Sequence, residues 1–273
     1  MVRSRDAPPR PDTIGWVIAR PAQSKVIGMH SPSPVPPTVV LVHGAFTDAS
    51  SWAGVVDLLH AAGVAVHAPA NPLRGLEHDA ACVRSLVRDL DTPVVLVGHG
   101  YGGAVITHAA GDADQVVALC YVAAFGLDAG ECVLDITNRF APSPLADATI
   151  TTAFPSGPDS EVYIRAERFR QVYADDLPPA VEQALSAAQR PIACGALTDR
   201  SGSPAWASKP SWYAIATADR MLNPAAQRFM AQRMAATEYV LDASHAVPLS
   251  RPDAVVAMIR EATRHAMGTF GGV

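Results

Sequence analysis

Short, unbroken apolar runs recur along the chain, separated by stretches whose apolar residues return at helical spacing. Thr38-Val-Val-Leu-Val-His43 has no polar residue between its ends, and Pro93–Val97 and Val116–Ala124 repeat the pattern. Such runs suit strands buried on both faces of a sheet. Ser50 and Ser51 are expected to cap a helix carrying Trp52, Val55, Val56, Leu58 and Leu59, which Gly63 ends. Val64–Ala68 predicts another strand, and helices are expected near His78–Leu90 and over Gly103–Ala110. Ile14–Ala19 and Lys25–His30, joined through Pro21, read as a leading hairpin. Alternation returns late in the chain with strand Trp212–Thr217, helix Pro224–Met234, strand Glu238–Leu241 and a last helix Pro252–Met267.

The rhythm breaks between Phe125 and Lys209. Prolines are frequent there, Pro155–Ser160 is rich in Gly, Ser and Pro, and helical patterns are legible near Ala129–Phe140 and Glu161–Tyr173. A stretch of about 85 residues is too long for one connection. Residues 126–209 are therefore expected to form an inserted helical lid on a core made of 1–125 and 210–273. The pattern predicts an α/β fold, a mostly parallel sheet with helices on both faces. Sheets of this kind bind ligands at the carboxyl ends of their strands.

With 273 residues, 49% hydrophobic and 17% charged, the chain can bury the core of one large domain. A net charge of −5 without a basic cluster argues against nucleic acid or an anionic membrane as partner, leaving a small molecule. The four cysteines, Cys82, Cys120, Cys132 and Cys194, show no C-x-x-C spacing and read as reduced structural thiols. Met1–Pro11 has no apolar run of the signal-peptide kind, and no stretch approaches a membrane span, so a cytoplasmic location is expected. Oligomeric state is not legible.

The chemistry gathers after the strands. Gly98-His99-Gly100-Tyr101-Gly102, between a strand and a helix, has the shape of a nucleophile elbow, Gly-x-Ser-x-Gly, but with glycine where the serine belongs. His43-Gly44-Ala45-Phe46 ends the first long strand, and the N–H groups of Ala45 and Tyr101 would make a two-donor oxyanion hole. Asp219 and His245 follow the last two strands, giving the chain order elbow, acid, histidine. In that arrangement the acid fixes the imidazole tautomer and stabilises its protonated form. His43, Phe46, His99 and Phe125 are expected around the substrate pocket, although packing or hydrogen bonding is the plainer role for the two histidines. Gly98-x-Gly100-x-x-Gly103 also spells a dinucleotide fingerprint. The next strand ends in Ala-Ala-Phe with no acid to hold a ribose, so no cofactor is expected, and no metal site is read.

Four segments together resemble α/β-hydrolase-fold proteins: Leu41–Trp52, Asn71–Leu76, Pro93–Ile106 and Ser244–Ala246. The resemblance is to the compact bacterial esterase-like subfamily, distantly related to plant hydroxynitrile lyases and methyl-ester esterases. It runs from about Val39 to the C-terminus. It implies an eight-stranded sheet, a helical lid and cofactor-free chemistry on small esters, lactones or related carbonyl compounds. Gly100 departs from it, because without a hydroxyl there is no acyl-enzyme. Three readings stand. His245 and Asp219 could serve non-covalent chemistry, with His245 as base on water or as acid and base in elimination, cyclisation or rearrangement. The chain could be a serine esterase or lactonase inactivated by a Ser-to-Gly change. It could instead be a non-catalytic binding protein of the same fold, a reading against which the retained dyad weighs. The lid residues Phe140, Phe154, Tyr163, Phe169 and Tyr173 suit an apolar ligand, or simply packing of the lid on the sheet.

Overall fold

The computed structural model describes residues 35–153 and 159–270, so the leading hairpin expected at Ile14–Ala19 and Lys25–His30 lies outside them. In chain order the elements are β1 (Thr38–Val42), α1 (Ala53–Ala61), β2 (Val66–His67), α2 (Leu76–Arg88), β3 (Val94–His99), α3 (Tyr101–Ala109) and β4 (Val116–Val122). An insertion follows, with α4 (Val133–Arg139), β5 (Thr149–Ala153), β6 (Ser160–Ile164), α5 (Ala166–Tyr173), α6 (Pro179–Ala187) and β7 (Ile192–Ala193). The core then resumes with β8 (Ser211–Ala216), α7 (Pro224–Arg233), β9 (Thr237–Leu241) and α8 (Pro252–Phe270).

Six strands form the central sheet in the order β2-β1-β3-β4-β8-β9, every neighbouring pair parallel. The resemblance implies eight strands, and the central sheet has six among the described residues. Side chains alternate across the sheet with the two-residue period of a strand. Val39, Leu41, Val95 and Val97 pack with Trp52, Leu59, Met258 and Ile259 on one face. Val40, Val42, Val94 and Leu96 pack with Leu76, Val83 and Ile106 on the other. Helices on both faces leave no polar side to these strands, which is why the runs read as continuously apolar. The parallel arrangement brings the segments after β1, β3, β4, β8 and β9 to one edge of the sheet.

Three local expectations need correction. The cap before Trp52 is Asp48, whose carboxylate accepts the Ser50 N–H at 2.8 Å and the Ser50 hydroxyl at 2.6 Å, ahead of a short 3-10 turn at Ala49–Trp52. Helix α3 starts at Tyr101, two residues before its expected start, so its first free N–H sits at the elbow itself. The insertion is not purely helical. Residues 161–164, expected to open a helix, belong to β6, which pairs antiparallel with β5 and β7. Thr149-Ile-Thr-Thr and Val162-Tyr-Ile carry the β-branched and aromatic side chains that favour a pleated, half-buried surface.

Candidate active site

Gly100 has φ +53° and ψ −122°, a conformation that strains an L side chain and that the turn from β3 into α3 requires. The turn is held from several sides. The Gly100 carbonyl accepts the N–H of Gly103 at 3.1 Å and of Phe125 at 2.9 Å, and the Gly100 N–H donates to Val122. Gly102 lets α3 lie against β1, since a Cβ there would stand 2.3 Å from the Val42 carbonyl oxygen. Gly100 itself is different. The three atoms nearest a Cβ built on it are His245 Nε2 at 3.1 Å, His245 Cε1 at 3.6 Å and Gly44 Cα at 3.7 Å. The imidazole Nε2 is thus the group that a side chain at position 100 would meet first.

His245 follows β9 and Asp219 follows β8. Both are buried, and His245 Nδ1 lies 2.7 Å from Asp219 Oδ2. Asp219 Oδ2 also accepts Gln227 Nε2 at 2.8 Å, while Oδ1 accepts the N–H groups of Met221 and Leu222 at 2.7 and 2.8 Å. Facing an acceptor-only carboxylate, His245 carries its proton on Nδ1 and leaves a lone pair on Nε2. Nε2 is buried and has no hydrogen-bond partner among the described residues. The loop that carries it is fastened to the insertion. Ser244 N–H donates to Asp176 Oδ2, Ala246 N–H donates to the Tyr173 carbonyl, and the Tyr173 ring meets the imidazole edge-on at 5.1 Å.

Ala45 and Tyr101 face the same space from β1 and α3. Neither N–H is used by an acceptor among the described residues, which leaves both free for a substrate oxygen. Phe46 is held at φ +64° with its N–H on the Arg190 carbonyl, so the loop is strained at the residue after the donor. The Tyr101 side chain turns away from His245, and its hydroxyl donates to Asp79 Oδ2 at 2.9 Å. Burial pushes the Asp79 carboxyl up from its ordinary range and raises the Tyr101 phenol further from its own.

His43 and His99 do not line the pocket. His43 Nε2 accepts the Asn71 N–H, so its proton sits on Nδ1 and donates to the Gly44 carbonyl, both at 2.9 Å. His99 Nε2 donates to the His245 carbonyl at 2.9 Å. Burial holds both imidazoles below their ordinary protonation range, His99 well below, with the neighbouring His245 adding to the effect there. They are neutral struts behind the oxyanion loop and the elbow. Each ring is anchored to those loops and neither lines the cavity, although His99 Nδ1 is buried with no hydrogen-bond partner among the described residues.

A cavity of about 370 Å³ opens beside Ala45 and Tyr101, and Gly100 and His245 lie behind its lining residues. Its core side is formed by Ala45, Phe46, Tyr101, Phe125 and Met221, its outer side by the insertion from Val133 to Thr151 with Val162 and Leu197, and no charged side chain lines it. Gln227, Asp79 and Asn71 are the site-supporting residues that sequence reasoning missed. Asn71 stood in a motif already noted, whereas a glutamine or aspartate inside a helix carries no sign that it is buried. Among the described residues no group of three or more His, Cys, Asp or Glu could hold a metal ion, and no helix is long and apolar enough to cross a membrane.

A parallel sheet with a glycine-lined elbow, and an acid and a histidine after its last two strands, defines the α/β-hydrolase class. The chain belongs to the alpha/beta hydrolase family, whose model matches residues 39–258. Among curated proteins it is similar to the alpha/beta hydrolase nvfD of Aspergillus novofumigatus, 28% identical over 254 residues covering 85% of this chain and 98% of that protein. It is also similar to a pyrethroid hydrolase of Sphingobium wenxiniae, 29% identical over 246 residues covering 82% and 86%. Among solved structures, a pyrethroid hydrolase from Sphingobium faniae superposes with a TM-score of 0.70 at 24% identity, over 84% of this chain and 97% of that one.

Proposed function

We propose that the chain is an enzyme that turns over a small, uncharged and largely apolar ester, lactone or related carbonyl compound without forming an acyl-enzyme. His245, oriented by Asp219, acts as general base and then acid on a water or a substrate proton held beside Gly100. The N–H groups of Ala45 and Tyr101 take the charge that develops on the carbonyl oxygen. One observation carries this reading: the buried Nε2 has no hydrogen-bond partner among the described residues and lies 3.1 Å from where a side chain at position 100 would begin, and glycine places no hydroxyl there. The uncharged cavity supports the substrate class, and the hydrolase names of the relatives support the reaction class. The insertion, residues 126–209, is the lid that selects the substrate. Four free thiols among the described residues suit a reducing, cytoplasmic setting. A small-molecule substrate, with neither nucleic acid nor membrane as partner, completes the proposal.

The test is turnover of a panel of short esters and lactones by the parent chain and by His245→Ala. Turnover should vanish in the variant, and equal turnover in a folded His245→Ala would remove His245 from the mechanism. A second reading, a serine esterase that has lost its nucleophile, is favoured by the intact geometry of the elbow. It is separated from the first by the parent's own activity, which should then be absent and be restored by a serine at position 100.

A further inference from the structure

Gln227 lies on α7, eight residues after Asp219, and is fully buried. Every polar atom of its side chain is in use. Oε1 accepts the Ala216 N–H at the end of β8 at 2.9 Å, and Nε2 donates to Asp219 Oδ2 and to the Leu222 carbonyl, each at 2.8 Å. Burying an amide with all three contacts made is favourable, whereas leaving any of them open would be costly. Its position matters more than its satisfaction. Asp219 Oδ2 is the one oxygen that both Gln227 and His245 share, and the other oxygen is fixed by two backbone N–H groups.

We infer that Gln227 is a positioning residue for the acid–base pair. It fixes the carboxylate plane so that Oδ2 presents one lone pair to itself and the other to His245 Nδ1. This inference rests on the proposed role of His245 as base. Without the Gln227 donor, Oδ2 keeps only its contact with the imidazole it is meant to orient, and the carboxylate can turn about the bond that carries it. The imidazole then loses a defined direction for Nδ1–H, and with it the aim of Nε2 toward Gly100. Gln227 touches no substrate, so the effect falls on the chemical step and not on binding.

The test compares Gln227→Met, which keeps length and apolar bulk, with the parent chain. The imidazole N–H of His245, bonded to a buried carboxylate, should give a strongly downfield proton resonance in the parent. In the Met variant that resonance should move upfield and broaden. At the same time kcat should fall about ten- to a hundredfold, the scale of a small misalignment at a reacting group, with KM unchanged. A folded Met variant with the parent's resonance and kcat overturns the inference, as does an equal change in kcat and KM without a shift of the resonance. Should Gln227→Met fail to fold, the unaltered chain still decides: both Nε2 protons of Gln227 should exchange slowly with solvent, and fast exchange overturns the inference. The resonance is read without substrate, so a failure of His245→Ala to lose turnover would count against the base and not against this placement.

Discussion

Replacing Asp219 by Asn separates orientation from folding. The carboxylate accepts four N–H groups, from Met221, Leu222, Gln227 and His245, at 2.7 to 2.8 Å. An amide has one oxygen, and the two backbone N–H groups will hold it because they cannot move. The new NH2 then faces Gln227 and His245. The imidazole answers by moving its own proton to Nε2, so that bare Nδ1 accepts from the amide. Gln227 keeps its bond to the Leu222 carbonyl and loses only the one to position 219. One hydrogen bond lost beside a facing donor costs about 1 to 3 kcal/mol. In a domain of this size that lowers Tm by about 2 to 4 °C per kcal/mol. Activity suffers far more, because a protonated Nε2 cannot take a proton. The expected loss is about 10⁴-fold in kcat, the order found when a buried triad carboxylate becomes an amide. Thermal denaturation and initial rates on whichever substrate His245→Ala abolishes measure both sides. A folded Asp219→Asn chain within tenfold of the parent rate would show that the imidazole tautomer does not govern the reaction.

Two further outcomes follow from buried groups away from the reacting atoms. His43 and His99 are kept neutral by burial, so below the ordinary imidazole value of 6.5 the unfolded chain takes up two protons that the folded chain refuses. Stability is full above that value and falls as pH drops through it, by up to about 1.4 kcal/mol per pH unit for each imidazole. Tm measured from pH 7.5 to 5.5 should decline, and a flat or rising profile would contradict the neutral tautomers. Asp79, whose carboxyl is raised by burial, works in the opposite sense at more acid pH. Tyr101→Phe removes the phenol that donates to Asp79 while sparing the Tyr101 backbone N–H. Stability should fall by about 1.5 to 3 kcal/mol in chemical denaturation, the range for a hydrogen bond to a charged or ionisable partner, and an unchanged midpoint would show the contact to be idle.

The strands were legible because burial on both faces writes itself as runs such as Val39–Val42 and Val94–Val97, with no polar register to misread. The residues of the candidate site were also legible, Gly100 by the glycines around it, Asp219 and His245 by their order after the last strands. Geometry added what order cannot, the contact of Nε2 with the space beside Gly100. The sheet in the insertion was missed because its strands are short and pair across a distance, Thr149 with Ile164, while Glu161–Tyr173 mixes a strand and a helix in one amphipathic stretch. His43 and His99 were placed in the pocket because a histidine beside a reactive loop looks the same in sequence whether it faces the cavity or braces the loop from behind. Only the Asn71 N–H and the His245 carbonyl decide between these. Gln227 had no signal, since its neighbours on the chain are unremarkable and its partners come from β8 and the loop that follows.

The central claim is that everything around Gly100 is competent and that the chemistry proceeds without a covalent intermediate. Its most direct test is Gly100→Ser beside the parent chain, assayed with short p-nitrophenyl esters and with a fluorophosphonate that labels activated serines. The serine should be labelled and raise ester hydrolysis by about 100-fold or more, a part of what a nucleophile contributes in a serine hydrolase, while the parent stays unlabelled. A folded Gly100→Ser chain that is neither labelled nor faster would mean that His245, Ala45 and Tyr101 do not form a working site.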